Sequence, residues 1–362
     1  MRGTISINPE HGRKASIDNL RTLTILMLFP FHIFMIYNNW GETFYVHGAG
    51  LAIPSLFNKI NYLWMMPMLF VLAGMSSRYA LLHRTAAQYV KERVNKLLIP
   101  LVFGMLLLAP IQLYLASMHY NGYARYIDYF IKSPDPAVYV YDFVLSPTHL
   151  WFLLFLFIIS LVSLPFMMLY RNRGKGAWGG ETKLVALIAL GLVPCITGID
   201  LFEFLEPGGK SPLEFLVFFL FGTFVLANDR VLERLERFRF LLLSLAVAGG
   251  ALTMHFAYEF REMASWLAVL ALLGLSRHYL GSSGKVSRYL SGVSFGLYLF
   301  HQPLIIIVGF FVLRLIDGAA WQIPIIFLIT VPLTFAVTEL CRRLPVTRWM
   351  FALKKPGSAQ TP

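Results

Sequence analysis

The chain has 362 residues, of which 57% are apolar and only 14% are charged. Soluble domains carry about 25% charged and about 45–50% apolar residues, so this composition, with a mean hydropathy of +0.64, excludes an ordinary soluble enzyme. The 31 Lys and Arg against 19 Asp and Glu leave a formal charge of +12, and where those basic residues fall decides what the charge means.

Stretches of about 20 apolar residues are long enough to cross a bilayer as helices. Ten are expected in chain order, over 20–40, 60–82, 97–117, 149–170, 183–200, 213–228, 239–257, 263–279, 292–314 and 320–341. The expected fold is all-α, a polytopic membrane protein with about ten transmembrane helices in a single domain over 1–362, an extracytoplasmic loop at 118–148 and a disordered tail at 356–362. The first stretch runs on into Asn38, Asn39 and Trp40 without a small-residue cleavage site, which reads as a retained signal-anchor. With the N-terminus inside, 25 of the 31 basic residues fall in cytoplasmic segments and 6 outside (Lys59, Arg125, Lys132, Lys210, Arg261 and Arg314). That asymmetry is the positive-inside signature. It predicts a multi-pass protein of the plasma (inner) membrane with both termini cytoplasmic, and it makes the charge a topology signal, with no nucleic acid partner expected. Cys195 and Cys341 fall at opposite ends of their spans, so no bridge between them is expected.

Ionisable groups at bilayer depth are costly unless they face a cavity or a partner. The first span, SIDNLRTLTILMLFPFHIFMIYNN, begins with Asp18 and Arg21 and reaches His32 after ten intervening residues. Eleven residues are close to three helical turns, which puts Arg21 and His32 on one face about 16 Å apart. Pro30 bends the helix two residues before His32. His32 is therefore either a catalytic base or a histidine bonded to a neighbouring helix.

The connection HRTAAQYVKERVNKLLIP brings Arg78, Arg84, Lys91, Arg93 and Lys96 to the cytoplasmic side. Arg93 and Lys96, three apart, fall on one face of an ideal helix. Anionic lipid explains such a cluster, and so does a phosphate-bearing cytosolic substrate. On the outer side, the 118–148 loop repeats tyrosine at Tyr120, Tyr123, Tyr126 and Tyr129, which suits a short helix on the membrane surface or a sugar-stacking surface. His149 and Trp151 open the fourth span, where Trp is a common membrane anchor and the pair is also a candidate substrate contact. Glu214 and Glu259 lie near outer span ends, as solvated groups.

The ninth span, SGVSFGLYLFHQPLIIIVG, carries His301 and Gln302 ahead of Pro303. Arg288 marks its inner end, about 20 Å away by helical rise, so His301 matches His32 in depth. The two imidazoles suggest a shared cavity, against the alternative that His301 and Gln302 only tie helices together. The chain has no phosphate-binding G-x-x-x-x-G-K-[ST], no H-E-x-x-H zinc helix, no G-x-S-x-G elbow and no cysteine cluster. General-base chemistry by histidine, with basic groups for a cytosolic anion, is what remains.

Ile17-Asp18-Asn19-Leu20-Arg21 with His32, and Ser294 to Pro303, resemble the first-span and late-span motifs of the integral-membrane acyltransferase 3 family. PFHIFMIYNN and HLWFLLFLF are especially similar to its glucans biosynthesis protein C branch. The resemblance implies transfer of an acyl group from cytosolic acyl-CoA to a hydroxyl on an extracytoplasmic carbohydrate, and in that branch succinyl transfer to a periplasmic glucan. It implies His32 as general base, Asp18 orienting Arg21, and Arg21, Arg93 and Lys96 on the coenzyme phosphates. The family's paired arginines before the third span fall on Arg93 and Lys96, so the second cation here is a lysine without the bidentate fork. His149, Trp151, His301 and Gln302 are the candidate substrate contacts. No bound cofactor or metal is expected, with acetyl-CoA or succinyl-CoA as donor substrate and the glycan acceptor and lipid bilayer as partners. The rival reading is a transporter or flippase using the same cavity without chemistry, since proline-broken spans with polar groups at mid-depth also mark transporters.

Overall fold

The computed structural model describes residues 15–40, 44–120, 122, 147–172, 182–197, 210–256 and 260–357. Among the described residues every regular element is helical. Among the described residues, five helices are long and apolar enough to cross a membrane: Ala52–His83, Ala86–Tyr120, Thr148–Arg171, Lys285–Leu315 and Ala319–Arg343. A sixth crossing is available if Pro212–Leu226 and Asp229–Arg237, bent by 98° at their junction, count as one broken span. Two further apolar helices, Leu184–Ile196 and Arg239–His255, are shorter. The structure is that of a helical membrane protein.

The first apolar stretch forms Ala15–Leu26 and Leu28–Met35 with a break at Met27. Pro30 has no N–H to give the Leu26 carbonyl, and the helix gives way one residue later. The predicted loop tyrosines Tyr123, Tyr126 and Tyr129, Glu259, and residues 358–362 of the predicted tail lie outside the described residues. Cys195 and Cys341 are both free thiols.

Lys285–Leu315 is the central column. It packs against both halves of the first stretch, against the C-terminal part of Ala86–Tyr120 and against Ala319–Arg343. Its apolar window is 78% buried against 22% for that of Ala319–Arg343, so the former is core and the latter faces lipid. Ala52–His83 is locked to Pro212–Leu226 by facing glycines. A Cβ on Gly74 would come within 2.1 Å of the Phe219 carbonyl oxygen, and one on Gly222 within 2.2 Å of that of Val71. Small residues let membrane helices approach this closely, and the hydroxyl of Thr223 donates to the Gly74 carbonyl at 3.2 Å across the same contact. At the far end of Ala52–His83, Arg171 donates to the Leu81 and Arg84 carbonyls at 3.1 and 2.7 Å, so a cation meets the helix's terminal acceptors.

Candidate active site

Three histidines from three separate segments converge beside the central column. The ring centroids of His32 and His301 are 5.1 Å apart, and those of His149 and His301 are 5.6 Å apart. His301 and His149 are 1% and 6% exposed. Phe29 packs on His301 at 5.8 Å, and Phe44, from the segment after the first helix pair, stacks on His32 at 5.9 Å. That segment folds back over the helix end, where the Gly48 and Leu51 amides donate to the Ile36 and Tyr37 carbonyls at 2.8 and 2.9 Å. Phe44, Val46 and Tyr37 are all buried.

Hydrogen bonding fixes two of the three rings. His301 Nδ1 lies 2.7 Å from the Tyr298 carbonyl oxygen and 3.1 Å from that of Leu297. A carbonyl only accepts, so Nδ1 carries the proton and Nε2 presents a lone pair. His149 Nε2 lies 2.9 Å from the Leu299 carbonyl oxygen and therefore donates, which leaves Nδ1 to accept from the Thr148 hydroxyl at 3.2 Å. Both nitrogens of His149 are thus spent inside the protein. By contrast His301 Nε2 and His32 Nδ1 are buried and have no hydrogen-bond partner. Buried polar atoms are nearly always bonded, and unbonded ones concentrate where a ligand or a reaction uses them.

Gln302, predicted as a substrate contact, donates its amide to Gln112 at 3.0 Å. Gln112 is fully buried and donates in turn to the Thr148 hydroxyl at 3.4 Å. Sequence reasoning missed Gln112, although an uncharged amide in the middle of APIQLYLAS is itself a signal of interhelical bonding. Trp151 is half-buried in an aromatic cluster with Phe70, Phe155 and Phe215, and the Lys210 ammonium sits 5.3 Å over its ring.

The cationic residues predicted for a cytoplasmic mouth are built differently. Arg21 pairs with Asp18 at 3.0 Å and donates to Ser76 at 2.6 Å and to the Leu72 carbonyl at 3.4 Å. Between Arg21 and His32 lies the break at Met27, and the two meet different helices: Arg21 reaches Ala52–His83, while His32 touches His301. Arg93 lies 4.5 Å over the Tyr89 ring and 3.5 Å from the Ser77 hydroxyl, which also accepts from the Tyr89 hydroxyl at 2.9 Å. Its Nε is buried without a partner. Lys96 departs from this pattern: it is exposed and ion-paired with Glu92, which also meets Arg84 at 3.0 Å. Arg93 and Lys96 thus take different partners, and between them Val94–Leu98 begins a π-helical turn, wound more widely than an α-helix. The helix feeding this turn starts at a capping box, with Thr85 accepting from the Gln88 amide at 3.2 Å and Gln88 from that of Thr85 at 2.9 Å.

Glu214, expected to be solvated, is 2% exposed and pairs with Arg261 at 3.0 Å, which also grips Glu262 at 2.7 Å. The partners stand 47 residues apart in the chain, beyond the reach of spacing arguments. Among the described residues no group of His, Cys, Asp and Glu is arranged to hold a metal ion.

Histidines gathered at Lys285–Leu315, with Arg21, Arg93 and Lys96 elsewhere in the same helical membrane protein, fit an integral-membrane acyltransferase. The family model described as an acyltransferase domain matches residues 14–339, and the chain belongs to that family, the acyltransferase 3 family. Among curated proteins it is similar to the glucans biosynthesis protein C of Salmonella paratyphi B, Salmonella dublin and Salmonella enteritidis PT4, 23% identical in each case over 95% of this chain and 96% of the relative. No solved structure matches it.

Proposed function

We propose that the protein takes an acyl group, acetyl or succinyl, from cytosolic acyl-CoA and transfers it to a hydroxyl of an extracytoplasmic carbohydrate such as a cell-envelope glucan. In this reading the chain crosses the plasma (inner) membrane ten times with both ends in the cytoplasm. The observation that carries it is the pair of buried, unpartnered ring nitrogens, His32 Nδ1 and His301 Nε2, on rings 5.1 Å apart.

His301 Nε2 can only accept while Nδ1 donates to the Leu297 and Tyr298 carbonyls. It therefore orients His32 by receiving Nδ1–H, which leaves Nε2 of His32 as the base; contacts of this kind tighten when substrate binds. That nitrogen removes the proton from the acceptor hydroxyl as the oxygen attacks the thioester carbonyl. When the carbon–sulfur bond breaks, the thiolate takes the proton back from the imidazolium, so the coenzyme leaves as a thiol and the histidine pair is restored. Arg21, oriented by Asp18, and Arg93 bind the coenzyme phosphates at the mouth, with Lys96 contributing charge from the rim. The rise from Arg21 to His32, about 16 Å of helix, matches the reach of a pantetheine arm, so phosphates held at one end present the thioester at the other. Trp151 offers a ring on which the acceptor sugar stacks.

Purified protein in lipid nanodiscs, given succinyl-CoA or acetyl-CoA and a glucan acceptor, is expected to release free thiol in step with a mass gain on the glucan. Glucan moved across proteoliposomes with no thiol released and no mass change would overturn the reading in favour of a transporter.

A further inference from the structure

Pro303 sits inside the central helix Lys285–Leu315, and a proline there deprives the carbonyl four residues earlier of its helical N–H. That carbonyl belongs to Leu299, and it accepts from His149 Nε2 at 2.9 Å. The imidazole therefore stands where the missing backbone donor would stand. Its other nitrogen accepts from the Thr148 hydroxyl at 3.2 Å, that oxygen accepts from the Gln112 amide at 3.4 Å, and the Gln112 carbonyl oxygen accepts from the Gln302 amide at 3.0 Å. The donors all point the same way, from Gln302 through Gln112, Thr148 and His149 back to Leu299, so the circuit leaves the central helix at residue 302 and returns at residue 299. His301 lies between the two ends. The Tyr298 hydroxyl closes a second contact, donating to the His149 carbonyl at 2.8 Å.

Two further features mark the circuit as built. Gln112, Thr148, His149 and Gln302 are all buried, where partly satisfied networks are costly and fully satisfied ones rigidify. Thr148 adopts φ of +49°, a conformation uncommon for a β-branched residue, and such strain gathers at functional positions.

We propose that His149 is a positioning residue: it caps the carbonyl released by Pro303 and, with Thr148, Gln112 and Gln302, holds this stretch of the central helix so that His301 Nε2 faces His32. This deepens the acyl-transfer reading and rests on it for its catalytic consequence, while the capping itself stands on geometry alone. His149 then touches neither acceptor nor donor.

The test uses the full-length protein in detergent or nanodiscs and the substitutions His149→Phe, His149→Gln and Pro303→Ala, alone and combined. His149→Phe keeps a ring but loses the donor; His149→Gln restores an N–H. Pro303→Ala returns the backbone N–H to Leu299. The expected result is that His149→Phe lowers the apparent Tm by about 3 °C and that most of this loss disappears in the Pro303→Ala background. It also moves the His301 ring 15N signals, which return in His149→Gln. In the acyl-transfer assay, His149→Phe lowers kcat about tenfold with both KM values kept, a small misplacement of a catalytic group being enough for that. An equal Tm loss in both backgrounds, or unmoved His301 signals, would overturn the proposal. So would a raised acceptor KM with kcat kept, because that marks a direct ligand. A wild-type protein without transferase activity would instead sink the acyl-transfer reading, and the Tm and 15N measurements would still decide the capping.

Discussion

The cationic cluster around Arg21 and the histidine cluster are both polar regions of an apolar bundle, and they solve that problem in opposite ways. Among the cations, charge is kept and paired: Arg21 with Asp18, Lys96 with Glu92, and Arg93 laid on Tyr89. Among the histidines, bonds run between neutral groups, and the acceptors are largely backbone carbonyls of the helical turn before Pro303, Leu297, Tyr298 and Leu299. The difference teaches where specificity for charge and where proton transfer can reside. A half-exposed ion pair can exchange its partner for a phosphate, whereas a buried imidazole bonded to carbonyls has a fixed tautomer and a directed lone pair.

The contrast breaks most sharply at His32. His32→Ala is expected to lower kcat for acyl transfer by about 10³-fold, within the range of general-base contributions, while membrane insertion stays normal and KM for acyl-CoA changes little. A variant that inserts and transfers at the wild-type rate would remove His32 from the chemistry. Arg21→Gln comes next: KM for acyl-CoA should rise about 10- to 30-fold, the cost of a charge-assisted bond, with kcat mostly kept. Salt sharpens the same distinction, since raising ionic strength screens the half-exposed mouth. The wild-type KM for acyl-CoA should therefore climb with salt while kcat holds level, and a kcat that falls in parallel would mean that the two regions do not divide the work. The smallest effect is expected from Lys96→Gln. Its ion pair is exposed and worth about 1 kcal/mol or less, so KM for acyl-CoA should change by no more than about threefold, and a larger rise would put Lys96 on the phosphates after all.

What could be read from the sequence follows the same division. Matched depth along two helices was enough to pair His32 with His301, because helical rise is a one-dimensional rule and both residues are followed or preceded by a proline. Spacing did not show the different partners of Arg93 and Lys96, and a π-helical turn leaves no residue signature that separates it from an α turn. Spacing also failed for Glu214, which acquires its cation, Arg261, only through tertiary packing. The role of His149 was invisible for a related reason: the carbonyl it meets is 150 positions away, and only Pro303 hints that the carbonyl needs a donor. Apolar length proved a coarse guide to the helices themselves, because Pro30 splits the first stretch and a 98° bend ends another.

Phe44 lies flat against His32, and its consequence concerns leakage. In the proposed reaction a thioester held beside a base must react with a sugar hydroxyl rather than with water, which is far more abundant. A ring stacked on the imidazole excludes water until something displaces it, and a sugar face is better suited to that exchange than a single small molecule. Phe44→Ala should then uncouple the reaction, with acyl-CoA hydrolysed in the absence of acceptor and less acyl group recovered on glucan per thiol released. Unchanged coupling in that variant would mean that dryness is maintained elsewhere in the bundle.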